Sequence, residues 1–129
     1  MNRVSYINLF ARDIEALCRF YAGTFGFEEI ESVRSPIFRA VEAGGCRIGF
    51  NAHAAYGLLN LDGHAATSGA KAMVTVAVDG PAEADRLVPL AVANGATLVK
   101  PLFRTAYGTY QAVLFDPEGH VLRIDAPLS

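Results

Sequence analysis

The chain carries one outline twice, and this repeat constrains its fold more than any other feature. VSYINLFARDIEALCRFYAGTFGFEEI, from Val4 to Ile30, and AMVTVAVDGPAEADRLVPLAVANGATLV, from Ala72 to Val99, follow the same order. Each has an alternating strand, a turn with Asp, a helical run, a glycine and another strand. Gly26 answers Gly95. FRAVEAGGCRIGF then answers YQAVLFDPEGHVLRI, with Gln111-Ala112-Val113 set against Arg39-Ala40-Val41 and Gly119 against Gly45. The offset drifts from about 67 to about 74 through small insertions, as loops tolerate. Each half reads β-α-β-β-β, an α+β class. The 129 residues form one structural unit of two modules, about 1–60 and about 72–129, joined by a linker at about 61–71.

Local chemistry supports each element. Alternation and β-branched or aromatic content place the first strand at Val4 to Ala11. Asp13 is a good N-cap for a helix starting at Ile14. Ile14, Leu17, Cys18, Tyr21 and Phe25 make one apolar stripe, which Gly23 or Gly26 ends. In the second half Gly80-Pro81 starts a helix with Pro in its first position. Ala84, Leu87, Val88 and Ala91 form its stripe, and Asn94-Gly95 stops it. Pro89 falls inside this helix and has no N–H, so a kink or break is expected there. NLDGHAATSGAK, small and polar, reads as the linker.

Composition narrows the function. Apolar residues make up 52% of the chain and charged residues 19%, which describes a well-cored globular protein. A net charge of -2 leaves no basic footprint for nucleic acid or an anionic membrane surface. No apolar run is long enough to span a bilayer, and MNRVSYINLF has no long apolar stretch of a secretory leader. Cys18 and Cys46 form no CxxC pair and read as small buried hydrophobes in a reducing compartment. The expected setting is the cytoplasm.

The unusual residue is Arg123. FDPEGHVLRIDAP is a hairpin whose outgoing strand carries a permanently charged guanidinium between apolar neighbours. Period-two alternation puts Tyr6 with Asn8, Met73 with Thr75, Arg47 with Asn51 around Gly49, and Val121 with Arg123 and Asp125. Together with Tyr107 in the TAYGTY segment, a candidate rim loop, these residues would line a site for a small organic anion with an apolar body. Arg123 has two readings: a clamp for a carboxylate, phosphate or enolate oxygen, or an internal ion pair with Asp125 or Glu42. Tyr6 and Met73 are also read as space-filling side chains. His53, His64 and His120 lack the spacing that preorganises a metal site, and Glu42 or Glu118 as acid or base has no visible partner.

RDIEALCRFYAGTFGF and FDPEGHVLRI, with the repeat, resemble the vicinal oxygen chelate superfamily of glyoxalase I, the bleomycin-resistance proteins and the extradiol dioxygenases. The resemblance covers nearly the whole chain. It implies paired βαβββ modules whose mixed sheets curl around a cavity, and a homodimer. Active members hold a divalent metal with His, Glu or Gln from the first and last strands of the modules. The matching positions here are Tyr6, Gly49, Met73 and Arg123. Neutral Tyr is a poor ligand, Gly has no side chain, a thioether is soft, and Arg repels a cation. The first expectation is therefore a small-molecule binding protein with no metal and no cofactor. Its ligand would meet Tyr6, Asn8, Arg47, Asn51, Met73, Thr75, Tyr107 and Arg123. A drug-sequestering relative would need aromatic stacking from Tyr56, Tyr107 or Tyr110, because the chain has no Trp. The second reading is a metal-dependent lyase, isomerase or dioxygenase with other ligands, such as His53 and Glu42. The third is a structural or regulatory dimer whose cavity Tyr6 and Met73 pack shut.

Overall fold

The computed structural model describes residues 2–65 and 69–128, so residues 66–68 of the expected linker lie outside the described residues. The chain divides into two compact units, Met1–Gly69 and Ala70–Ser129. The first contains β1 (Tyr6–Ala11), α1 (Ile14–Phe25), β2 (Glu28–Glu29), β3 (Phe38–Glu42), β4 (Arg47–Ala52) and a short α2 (Ala54–Leu58). The second contains β5 (Met73–Ala77), α3 (Pro81–Ala93), β6 (Thr97–Arg104), β7 (Thr109–Phe115) and β8 (Val121–Pro127). Each β-α-β-β-β half forms a four-stranded mixed sheet, in the orders β1-β4-β3-β2 and β5-β8-β7-β6. The segment expected to be linker is partly helical: α2 is followed by a single 3-10 turn at Asp62–His64.

In both units the first strand pairs in parallel with the last, and the remaining pairs are antiparallel. The two registers agree. Tyr6 faces Arg47 and Asn8 faces Gly49; Met73 faces Val121 and Thr75 faces Arg123. This places Gly49 and Arg123 at the same point of the repeat, as the turn glycines imply. One detail of the repeat alignment is corrected. Gly49 lies opposite Ala40, whereas Arg123 lies opposite Val113. Ala40 therefore answers Val113, not Ala112, and Gln111 answers Phe38, not Arg39. The shared Ala-Val dipeptide suggests the slipped alignment. The hairpin between β7 and β8 is one residue longer than that between β3 and β4, and a one-residue slip moves every side chain to the other face.

One helix covers one face of each sheet. Asp13 caps α1 by accepting from the Ala16 backbone N–H at 3.0 Å. Gly26 ends it in the left-handed region, at φ 74°. The α1 stripe of Ile14, Leu17, Cys18 and Tyr21 is buried against Leu9, Val41, Ile48 and Phe50, with the Tyr21 and Phe50 rings stacked at 5.5 Å. In the second unit Ala84, Leu87, Val88 and Ala91 of α3 are buried, as are Ala112, Leu114, Leu122 and Ile124 of the sheet. Tyr110 fastens this layer by donating to Asp85 Oδ1 at 2.7 Å. Helix α3 runs through Pro89 without the expected break. Pro89 lies on the exposed side, so water can reach the Asp85 carbonyl that has lost its N–H donor. In edge strand β6, Pro101 falls where the pairing shifts between Lys100 and Phe103.

Charges on the helix side of the first sheet are paired. Arg34 forks onto Glu29 at 2.5 and 2.8 Å, and Arg39 reaches Glu15 at 2.9 Å. The Arg34 bonds hold the Glu29 carboxyl below its ordinary range. Beneath this layer burial pushes the Cys18 thiol up to about 11, and the Glu29 carboxylate adds to the effect. Cys18 is buried and Cys46 half-buried. A thiol-exchange reagent near neutral pH should therefore modify Cys46 in the native protein and reach Cys18 only after unfolding; rapid native modification of Cys18 would contradict this packing. Asp13→Ala should cost about 1 kcal/mol of stability through loss of the α1 cap, read from the urea midpoint.

Candidate functional site

The face of each sheet turned away from its helix carries the candidate residues. In the first unit these are Tyr6, Asn8 and Phe10 of β1, Arg47, Gly49 and Asn51 of β4, and Phe38, Ala40 and Glu42 of β3. Arg47 donates to the Tyr6 hydroxyl at 3.1 Å and to Glu42 at 3.3 Å. The Tyr6 bond chiefly, with Glu42 adding, raises the Arg47 guanidinium above its ordinary value against the opposing effect of burial. Asn51 Nδ2 donates to Asn8 Oδ1 at 3.0 Å. The polar groups of this face thus satisfy one another. Phe10 stacks on Tyr56 of α2, with ring centroids 4.1 Å apart, and His53 lies at the edge of that pair.

Gly49 is where this packing is tightest. A Cβ there would clash with Asn8 Oδ1 and would lie 2.8 and 2.9 Å from Phe38 ring carbons. The Phe38 ring also meets Tyr6 edge to face at 6.0 Å. The glycine is thus a position whose side-chain space Asn8 and Phe38 already occupy.

The second unit treats the equivalent position differently. Arg123 extends from β8 across to β5, where its Nε donates to Thr75 Oγ1 at 3.1 Å. Among the described residues of this unit no carboxylate pairs with it, and the internal ion pair with Asp125 is not formed. Arg123 and Asp125 share a face but are two residues apart along the strand, and Arg123 turns toward its cross-strand neighbour instead. Asp125 lies opposite Ala77 and Gln111. Its Oδ1 is buried and accepts no hydrogen bond among the described residues. Gln111, only 5% exposed, accepts from the Tyr107 hydroxyl at 3.2 Å. Met73 is 45% exposed at the end of β5, so it does not fill space within its own unit.

The eight candidates thus fall into two groups. Tyr6 with Arg47 and Asn8 with Asn51 are bonded pairs on the first sheet. Thr75 with Arg123, together with Met73 and Tyr107, belong to the second. Phe38, opposite Asn51, and Gln111, opposite Asp125, share these faces and were not among the candidates. The only sequence signal for them was the longer DPEG turn. That turn is structural: Asp116 Oδ1 accepts from the backbone N–H groups of Glu118 and His120 at 2.9 and 3.0 Å.

The four positions that the resemblance assigns to a metal do not fit one. Gly49 has no side chain and no room for one. Arg123 brings a positive charge, and the Tyr6 hydroxyl is engaged by Arg47. Among the described residues no group of three or more His, Cys, Asp or Glu side chains is placed to hold a metal ion. His53 and Glu42, the substitutes considered, lie on different strand ends, and Glu42 is engaged by Arg47.

Gly49→Ala should destabilise the protein by roughly 1–3 kcal/mol, because Asn8 must give up Asn51 or Phe38 must leave Tyr6. Urea unfolding measures this. An unchanged midpoint would show that the two side chains yield freely and that the position is open.

Residues 3–124 match the family model described as Glyoxalase/Bleomycin resistance protein/Dioxygenase superfamily. A crystal structure of a glyoxalase/bleomycin resistance protein/dioxygenase family enzyme from Burkholderia phytofirmans PsJN is 51% identical, with a TM-score of 0.96, covering 98% of this chain and 100% of that one. A glyoxalase-related enzyme from Fulvimarina pelagi shares the fold at 24% identity, with a TM-score of 0.80 and coverage of 98% and 88%. Lactoylglutathione lyase from Agrobacterium tumefaciens shares it at 17% identity, with a TM-score of 0.71 and coverage of 98% and 94%. No curated protein matches the chain. Repeat, paired mixed sheets and family match agree: the chain belongs to the glyoxalase/bleomycin-resistance/dioxygenase superfamily.

Proposed function

We propose that this chain is a metal-independent binding protein for a small organic molecule with an anionic group, and that Arg123 holds the anion. One observation carries the reading. At a position where the resemblance puts a metal ligand, this chain has a half-buried guanidinium anchored by Thr75 and, among the described residues of its unit, paired with no carboxylate. Anchoring through Nε leaves both Nη groups to donate to a planar oxyanion. Such an anchor is preorganised, so little rotamer freedom is lost on binding. Met73 and Val113 on the same face suit an apolar ligand body. Tyr6 with Arg47 and Asn8 with Asn51 are engaged within the first unit, so this reading rests on Arg123 and its own sheet. A homodimer in the cytoplasm completes the proposal; edge strand β1 with exposed Ile7 supports self-association.

A second reading is a metal-dependent lyase, isomerase or dioxygenase. It is favoured by the Burkholderia relative, which is described as an enzyme. Thermal unfolding separates the two. Samples would contain chelator, Zn²⁺, Ni²⁺, Mn²⁺ or Fe²⁺, or a panel of aromatic and aliphatic carboxylates. A ligand at about 100 times its dissociation constant adds about 2.7 kcal/mol, a shift of several degrees for a domain of this size. The expected result is a shift with a carboxylate and flat curves with metals. Arg123→Ala should weaken carboxylate binding by roughly tenfold to a hundredfold, as loss of a charged hydrogen-bonding partner does. A specific shift with one metal would overturn the metal-independent reading.

A further inference from the structure

We infer that the ligand held by Arg123 is bifunctional: an organic acid that also carries an amine or amide N–H, which Asp125 accepts. The inference rests on the reading of Arg123 as an anion site. Asp125 follows Arg123 by two residues on the same face of β8, a step of roughly 7 Å along the strand. The protein leaves both groups short of partners. Among the described residues Arg123 donates through Nε to Thr75, and Asp125 Oδ1 is buried without a donor.

A buried carboxylate oxygen with no donor is costly, and native proteins rarely keep one unless something else completes it. The obvious internal partner is Arg123, and it points away to β5. The cross-strand neighbours offer no substitute. Ala77 is small and has no polar side chain, and Gln111 presents its oxygen to Tyr107. Neither neighbour therefore donates to Asp125 Oδ1 among the described residues. A positive donor beside a free carboxylate acceptor, at this spacing, is complementary to a short zwitterion or an amide-bearing acid. A simple carboxylate would satisfy Arg123 and leave Asp125 as it is.

Calorimetric titration of the full chain tests this with paired probes. β-Alanine, γ-aminobutyrate and δ-aminovalerate are compared with propionate, butyrate and valerate. At least one amino acid should bind tenfold or more tightly than its partner acid. Asp125→Asn should remove that preference and leave the simple acid's affinity unchanged, whereas Arg123→Ala should weaken both. Asp125→Ala should unfold at the same temperature as the parent or higher, because it removes an unsatisfied buried group. Simple acids that bind through Arg123 with no gain from the amine would overturn the bifunctional ligand and leave the anion site standing. So would a preference that survives in Asp125→Asn. Loss of several degrees in Asp125→Ala would make Asp125 a structural residue and also overturn it. Absence of binding by every acid in the parent protein would remove both readings together.

Discussion

The parallel pairing of the first and last strand of each unit is the constraint on which the other features depend. It sets Asn8 opposite Gly49 and Thr75 opposite Arg123. Once those pairs are made, the two-residue period of a strand decides the face of every other side chain. A parallel pair needs a long crossover, and the helix with the two intervening strands supplies it. The helix then packs back on its own sheet and takes the apolar face. The polar candidate residues are left on the other.

The same point of the repeat is used in opposite ways. In the first unit Gly49 has no side chain, and Phe38 and Asn8 close over it. In the second unit Arg123 projects a long cation that the Thr75 hydroxyl meets. A metal site needs several converging donors at these positions, and neither arrangement offers them. The chain keeps the scaffold of its superfamily while filling those positions with groups of different chemistry.

Ionic satisfaction is uneven across the molecule. Arg34, Arg39 and Arg47 all have carboxylate partners, and Tyr110 has Asp85. Those contacts fasten layers or neighbouring strands. On the face of the second sheet turned away from its helix the pattern stops: among the described residues of the unit Arg123 has no carboxylate partner, and Asp125 keeps a buried oxygen without a donor. Among the described residues the buried side-chain atoms without a hydrogen bond are Arg39 Nε and Asp125 Oδ1, and Arg39 still reaches Glu15 through its terminal nitrogen.

Much of the fold was legible in the sequence. The repeat, the Asp13 cap, the helical stripes and the DPEG hairpin are local signals, and each depends on residues close together in the chain. Those signals determined the β-α-β-β-β order, the first and last strands, and the face shared by Arg123 and Asp125. They misplaced Gln111 by one position, because an Ala-Val match outweighed a turn one residue longer. They also predicted a kink or break at Pro89, and the helix continues through it, with solvent access to one carbonyl. Only the tertiary structure decided which partners the polar groups take. Arg123 could reach along its own strand to Asp125 or across to Thr75, and the sequence treats both as neighbours. Side-chain direction and cross-strand distance chose Thr75, and that choice left Asp125 without a donor.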